Sequence, residues 1–148
     1  EGMQAGLNWK CILDKRENMR KAFDNFNYKK ISKYDSKKME ELLNNKGIIR
    51  NRRKLEALII NANKFIEVQK EFGSFDKYIW SFTKGKRINN KLKSTDNLPA
   101  RNELSDLISK DLIKRGFKFT GSVIIYSYLQ GIGIINDHAI NCRFHNKK

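Results

Sequence analysis

"KRGFKFTG", residues 114–121, packs three cations, two glycines and two phenylalanines into eight positions. Upstream, "ELSDLISKDLIK" carries Leu104, Leu107, Ile108 and Leu112 at helical spacing. Downstream, "SVIIYSYLQGIGII" is a continuous apolar run with no water-facing stripe, which predicts a buried helix. The stretch is therefore the link between two helices. A short glycine-containing turn of this kind can point backbone N–H groups outward, and the start of the second helix adds partial positive charge. Gly116 and Gly121 permit close backbone approach, Thr120 can cap the second helix, and Arg115 and Lys118 supply cations. Such a hairpin can hold a DNA phosphate without reading sequence. The same residues also fit an ordinary interhelical turn, the commoner use of such glycines.

Outward from the hairpin, the chain reads as all-α. It has one proline, few strand-like alternations and several capped amphipathic runs. Asn8 can cap a helix from 9 to about 23, with Trp9, Ile12, Leu13 and Met19 toward one side. Asp35 or Ser36 can start a short helix through 43, with Gly47 placed to end it. A long helix is expected over 52–72, its inward residues being Leu55, Leu58, Ile59, Ala62, Phe65 and Ile66. The aromatic segment "SFDKYIWSF" predicts another short helix, and residues 83–102, with "GKRINNKLK" and the lone Pro99, an exposed mobile loop. No internal repeat or heptad pattern is present.

At 148 residues and 39% hydrophobic, the chain is expected to form a single domain. No apolar run reaches membrane-spanning length, and the first residues are not a basic-then-apolar leader. Cys11 and Cys142 are too few for a disulfide framework. The expectation is a cytoplasmic protein, monomeric, with reduced thiols and no membrane partner. The net charge of +15 suits a polyanionic partner. Lysine outnumbers arginine and asparagine and isoleucine are abundant, so a composition skewed throughout accounts for the charge equally well.

The run "KRGFKFTGSVIIYSYLQGIGIINDH", together with "EGMQAGLNW", "KRENMRKAF", "GIIRNRRKLEALIINA" and "FDKYIWSF", closely resembles the DNA-3-methyladenine glycosylase I family. The resemblance covers nearly the whole chain in order. It implies a helical bundle of the helix-hairpin-helix DNA glycosylase type, acting on double-stranded DNA that contains alkylated adenine. The implied reaction is release of 3-methyladenine by hydrolysis of the N-glycosidic bond. On that resemblance, residues 114–121 become the DNA-anchoring hairpin.

Carried over residue by residue, the family's base-recognition and catalytic glutamate falls on Glu1 and its stacking tryptophan on Trp9. A carboxylate can accept hydrogen bonds from the donor edge of a methylated adenine and favours a cationic base. An indole supplies the flat apolar wall that an extruded base needs. Without the resemblance, a solvated terminal carboxylate and a core indole would be the readings of choice. In "QAGL", Leu7 is the candidate wedge for the gap left by an extruded nucleotide, or else a helix-end hydrophobic contact. The DNA-binding set is thus Leu7, Arg115, Gly116, Lys118, Thr120 and Gly121.

His138 and Cys142, in "HAINC", match two of the family's four zinc ligands, so the resemblance implies a structural zinc with only a half-site here. Their i, i+4 spacing suits one face of a helical turn. The family's other two ligands lie ahead of the position of Glu1, in a segment that also contributes aromatic residues to the base pocket. The sequence is therefore expected to be truncated at its N-terminus relative to the family, as a fragment of a complete enzyme. His145 could stand in as a third ligand. Cys11 reads as a core thiol and Asp137 as structural. The hairpin turn offers no obvious lysine nucleophile, so the implied enzyme is monofunctional, without Schiff base or strand cleavage. The rival reading is a non-catalytic, basic helix-hairpin-helix DNA-binding module, or an inactive truncated relative. Retention of Glu1 and Trp9 argues against it, since a phosphate binder needs neither.

Overall fold

The structure is a computed structural model that describes residues 1–96 and 98–145. Helix α1, Trp9–Ala22, starts where the Asn8 side chain accepts from the Lys10 amide. It closes on Phe23, and a left-handed 3-10 turn, Asp24–Phe26, reverses the chain. The Tyr34 hydroxyl pins that turn by donating to Asp24 at 2.6 Å. Helix α2, Tyr28–Ile31, is capped by Asn27, and α3, Ser36–Asn44, by Asp35. Helix α4, Arg52–Phe72, starts on the Asn51 cap and ends at Gly73, whose φ of +82° suits glycine. Helix α5, Phe75–Ser81, follows the Ser74 cap. Helix α6, Glu103–Lys114, opens on a reciprocal box between Asn102 and Ser105. Helix α7, Ser122–Gly131, begins at Gly121 with no side-chain cap. Two short strands, β1 (Ile88–Asn89) and β2 (Ile135–Asn136), pair in parallel.

The apolar residues sort into two cores joined by α4. Ile12, Met19, Phe23, Ile31, Met39, Leu42, Ile48, Leu55 and Ala62 form one, from α1 to the first half of α4. Val68, Tyr78, Ile79, Ile108, Leu112, Phe117, Ile125, Tyr126, Leu129, Ile134 and Ile135 form the other, around the two hairpin helices. Each fully buried aliphatic side chain contributes about 1.5–3 kcal/mol. The hairpin turn is seated by Phe117, which lies in the second core and faces Phe75.

Several expectations need correction. Asn45, not Gly47, closes α3. Helix α7 stops at Gly131 rather than running through the apolar segment, because Gly133 takes φ +80° and the chain turns into β2. Val123 on α7 and Leu107 on α6 are more than half exposed, so neither helix is buried all round. The described residues of 83–102 are largely exposed as expected, but they are tied down: β1 pairs with β2, and the Ile140 amide donates to the Leu92 carbonyl at 2.8 Å. Among the described residues, no helix is long and apolar enough to cross a membrane.

Candidate functional site

The hairpin turn between α6 and α7 is built by three separate constraints. Gly116 has φ +93°, and a Cβ there would sit 3.1 Å from Lys64 Cε, so a side chain would be both strained and crowded. At the apex, Asn61 of α4 acts as a peptide mimic: its Oδ1 accepts from the Lys118 amide at 2.8 Å and its Nδ2 donates to the Lys118 carbonyl at 2.9 Å. Beyond the apex, Ser109 Oγ donates to the Thr120 carbonyl at 2.6 Å. The start of α7 is left bare. Gly121 provides no capping side chain, and a Cβ on it would meet nothing within 4 Å. Its first amides have no side-chain cap, and Lys118, three residues before Gly121, is exposed. That combination suits an anionic oxygen.

Two hairpin residues behave differently from their sequence reading. Thr120 does not cap α7: Gly121 is the N-cap, and Thr120 Oγ1 is buried with no hydrogen-bond partner among the described residues. Arg115 is not a free cation. Its Nε donates to Asp111 at 2.7 Å and its two terminal nitrogens to Glu71 at 2.6 and 3.1 Å. Its guanidinium also lies over the rings of Phe72 and Tyr78. The hydrogen bonds it donates to Glu71 and Asp111 push the Arg115 pKa up, and the Arg115 hydrogen bond holds the Glu71 carboxyl below its usual range. Burial alone would raise the Asp111 pKa, but hydrogen bonds from Tyr78 and Arg115 outweigh it and bring it down. Arg115 thus fastens the base of the hairpin to α4.

Residues 1–7 form a compact loop. The Gln4 amide donates to the Glu1 carbonyl at 2.8 Å and the Leu7 amide to the Gln4 carbonyl at 2.7 Å, while Gly6 takes φ +71°. Lys54 of α4 holds this loop. Only 6% exposed, its Nζ donates to the Met3 carbonyl at 2.8 Å and to the Ala5 carbonyl at 2.6 Å. Burial lowers the Lys54 pKa, and the two carbonyls replace part of the lost hydration.

Held in this way, Glu1 and Trp9 line one cavity of about 250 Å³, with Met3, Ile12, Leu13, Arg16, Met19 and Phe26. Trp9 is 44% exposed, so it is not a core residue. Leu13 shares its fate, whereas Ile12 and Met19 turn into the core as expected. Glu1 also borders a second cavity of about 250 Å³ beside the hairpin, whose lining includes Phe65, Phe75, Phe117, Phe119 and Thr120. The loop and the hairpin touch directly: a Cβ on Gly2 would lie 3.6 Å from Phe119 Cβ. Leu7 packs partly buried against the first core. It makes the helix-end hydrophobic contact.

His138 and Cys142 come together, with Sγ and Nδ1 3.6 Å apart. Zinc–sulfur and zinc–nitrogen bonds of about 2.3 and 2.0–2.1 Å at a tetrahedral angle give a ligand separation of about 3.6 Å, so the pair fits two corners of such a site. Among the described residues, no cluster of three or more metal-ligating side chains forms. His145 is buried, with its Nδ1 2.7 Å from the His138 carbonyl oxygen. Asp137 is structural in its contacts: it accepts from Tyr126, Gln130 and Asn90 at 2.6–2.7 Å, tying α7 to the segment after β1. Cys11 is half-buried and lines a surface groove with Lys10 and Asp14, which corrects its reading as a core thiol.

A carboxylate and an indole on one cavity, next to a helix start with open amides, is an arrangement for holding a flat base beside a phosphate chain. Comparison with known proteins bears on the chain as a whole. Residues 1–146 match the methyladenine glycosylase family. The chain belongs to that family. It is 40% identical over 142 residues to the DNA-3-methyladenine glycosylase of Haemophilus influenzae, covering 96% of this chain and 77% of that protein. A crystal structure of a 3-methyladenine DNA glycosylase I superposes with a TM-score of 0.90 at 41% identity, over 96% of this chain and 78% of the other. The Staphylococcus aureus 3-methyladenine DNA glycosylase I, solved to explain 3-methyladenine recognition, gives a TM-score of 0.94 at 30% identity, over 99% and 78%. These likenesses extend to the helical architecture throughout.

Proposed function

We propose that the chain is a DNA-3-methyladenine glycosylase, a hydrolase that releases 3-methyladenine from alkylated double-stranded DNA in base-excision repair. The observation that carries this reading is the cavity shared by Glu1 and Trp9, with Glu1 also bordering the cavity beside the hairpin, in a chain whose relatives carry that name. A methyl group at N3 makes adenine cationic. When the bond between C1′ and the base breaks, the base takes the bonding pair and leaves neutral. Water adds to C1′ and one proton is released, leaving an abasic sugar. The protein has to extrude the nucleotide and bind the departing base more tightly as it leaves. Trp9 offers the stacking face, and the Glu1 carboxylate accepts from the base's donor edge. The α7 amides and Lys118 hold the strand.

In this reading the enzyme works as a monomer in the cytoplasm and forms no Schiff base. Methylated duplex incubated with it should acquire alkali-labile sites, with no strand breaks before alkali and no covalent adduct trapped by borohydride. Nicks without alkali, or a trapped adduct, would refute monofunctional chemistry. His138 and Cys142 would hold one side of a structural zinc, which would tie the C-terminal segment down without joining the reaction. Zinc should then slow alkylation of Cys142, and unchanged thiol reactivity would contradict that assignment.

A further inference from the structure

The two halves of the site are fastened to the same stripe of one helix. Lys54 clamps the Glu1 loop through the Met3 and Ala5 carbonyls, and Asn61 clamps the hairpin apex through both backbone groups of Lys118. Positions seven apart fall on nearly the same helix face, about 10.5 Å along the axis. Ala57 lies between them, buried, and lines a shallow groove with Lys118 and Phe119. A small residue there lets the hairpin come down onto the helix. Among the described residues, no other hydrogen bond joins residues 1–7 to another element. A buried ammonium is costly unless its donors are used. This one is spent wholly on loop carbonyls.

We propose that α4 sets the distance between the base pocket and the phosphate anchor, with Lys54 and Asn61 as its two positioning residues. The assignment rests on the glycosylase reading for its functional consequence, though not for its geometry. Lys54 keeps the Glu1 carboxylate registered against Trp9, so its loss acts on the chemical step. Asn61 keeps the α7 amides registered against the strand, so its loss acts on DNA binding.

The test uses Lys54→Met, Asn61→Leu and a control, Val68→Ala, which weakens α4 packing away from both clamps. Lys54→Gln replaces Lys54→Met should the latter not fold. Amide exchange is followed in each, alongside single-turnover base release and DNA affinity. Lys54→Met is expected to speed exchange at Gln4 and Leu7 only, and to slow base release about tenfold with DNA affinity within twofold. Asn61→Leu is expected to speed exchange at Lys118 only, and to weaken DNA binding about tenfold with the rate at saturation within twofold. The control should do neither beyond its loss of folded fraction. The inference fails if both variants loosen both segments together, or if Val68→Ala reproduces their effects. A wild-type chain that releases no base would count against the glycosylase reading alone, because the exchange pattern still decides whether the clamps act separately.

Discussion

The loop that carries Glu1 and the hairpin that ends at Gly121 lie side by side, yet they are secured in opposite ways. The hairpin is over-determined. Phe117 is sunk in a core, Arg115 is held by Asp111 and Glu71, Asn61 holds the apex and Ser109 the far side. The loop has internal turns and a single buried cation beneath it. The difference follows the work each does. A phosphate anchor has one geometry to present, so rigidity costs it nothing. A base pocket must let a flat group enter between Glu1 and Trp9, and its walls accordingly set exposed Trp9, Leu13 and Phe26 around the buried Ile12 and Met19.

If this contrast is right, changes on the two sides should separate catalysis from binding. The largest effect is expected for Glu1→Gln, which keeps the shape and removes the charge: base release should fall roughly 10²-fold while affinity for undamaged DNA stays level. Trp9→Ala comes next. Base stacking on an aromatic contributes about 1–3 kcal/mol, so release should drop about tenfold or more, and the melting temperature should hardly move because the ring is 44% exposed. On the anchor side, Gly121→Ala fits its φ of −62° and meets no atom, so the fold should tolerate it. The added methyl would stand between the amides and a phosphate, weakening DNA binding about tenfold, or about 1.4 kcal/mol. Unchanged affinity in a gel-shift titration would move the anchor elsewhere.

The smallest effect concerns acid stability. The Asp111 carboxyl titrates below its ordinary 3.8 in the folded protein, because Tyr78 and Arg115 hydrogen bonds outweigh its burial. A depressed folded value means that this stabilisation is complete above the ordinary carboxylate range and is lost as the pH falls through the folded value. Asp111→Asn should therefore lower the urea midpoint at pH 7 by the equivalent of about 1 kcal/mol. It should also narrow the gap between the pH 7 and pH 3 midpoints. An unchanged gap would show that the Arg115 clasp contributes nothing.

Much of the fold could be read from local signals. Asn8 and Asp35 mark helix starts because a short side-chain acceptor needs only the next few amides, and α4 ran 52–72 as expected because periodicity and its bounding residues agree. The features that escaped are those made by distant partners. Arg115 looked like a free cation because Glu71 lies 44 residues away in sequence, although Asp111 one turn back was a visible hint. Lys54 sits in the run "RNRRK", where nothing marks one cation of four as buried. The β1–β2 pair is two residues long and leaves no alternation to detect. At the site, Glu1 and Trp9 were legible only through family resemblance, since an exposed carboxylate and a helix-start indole carry no pattern of their own. The capping role of Thr120 was a reasonable local reading that packing overrode.

The most direct test is chromatographic detection of free 3-methyladenine released from methylated duplex DNA. The chain would be assayed alone and preceded by the segment that the family resemblance places ahead of Glu1, each with and without Glu1→Gln. The account predicts release of 3-methyladenine, at the least by the extended form, and its suppression by Glu1→Gln. Folded protein that binds the duplex in both forms yet frees no base from either would contradict it, and would leave the hairpin as a phosphate clamp.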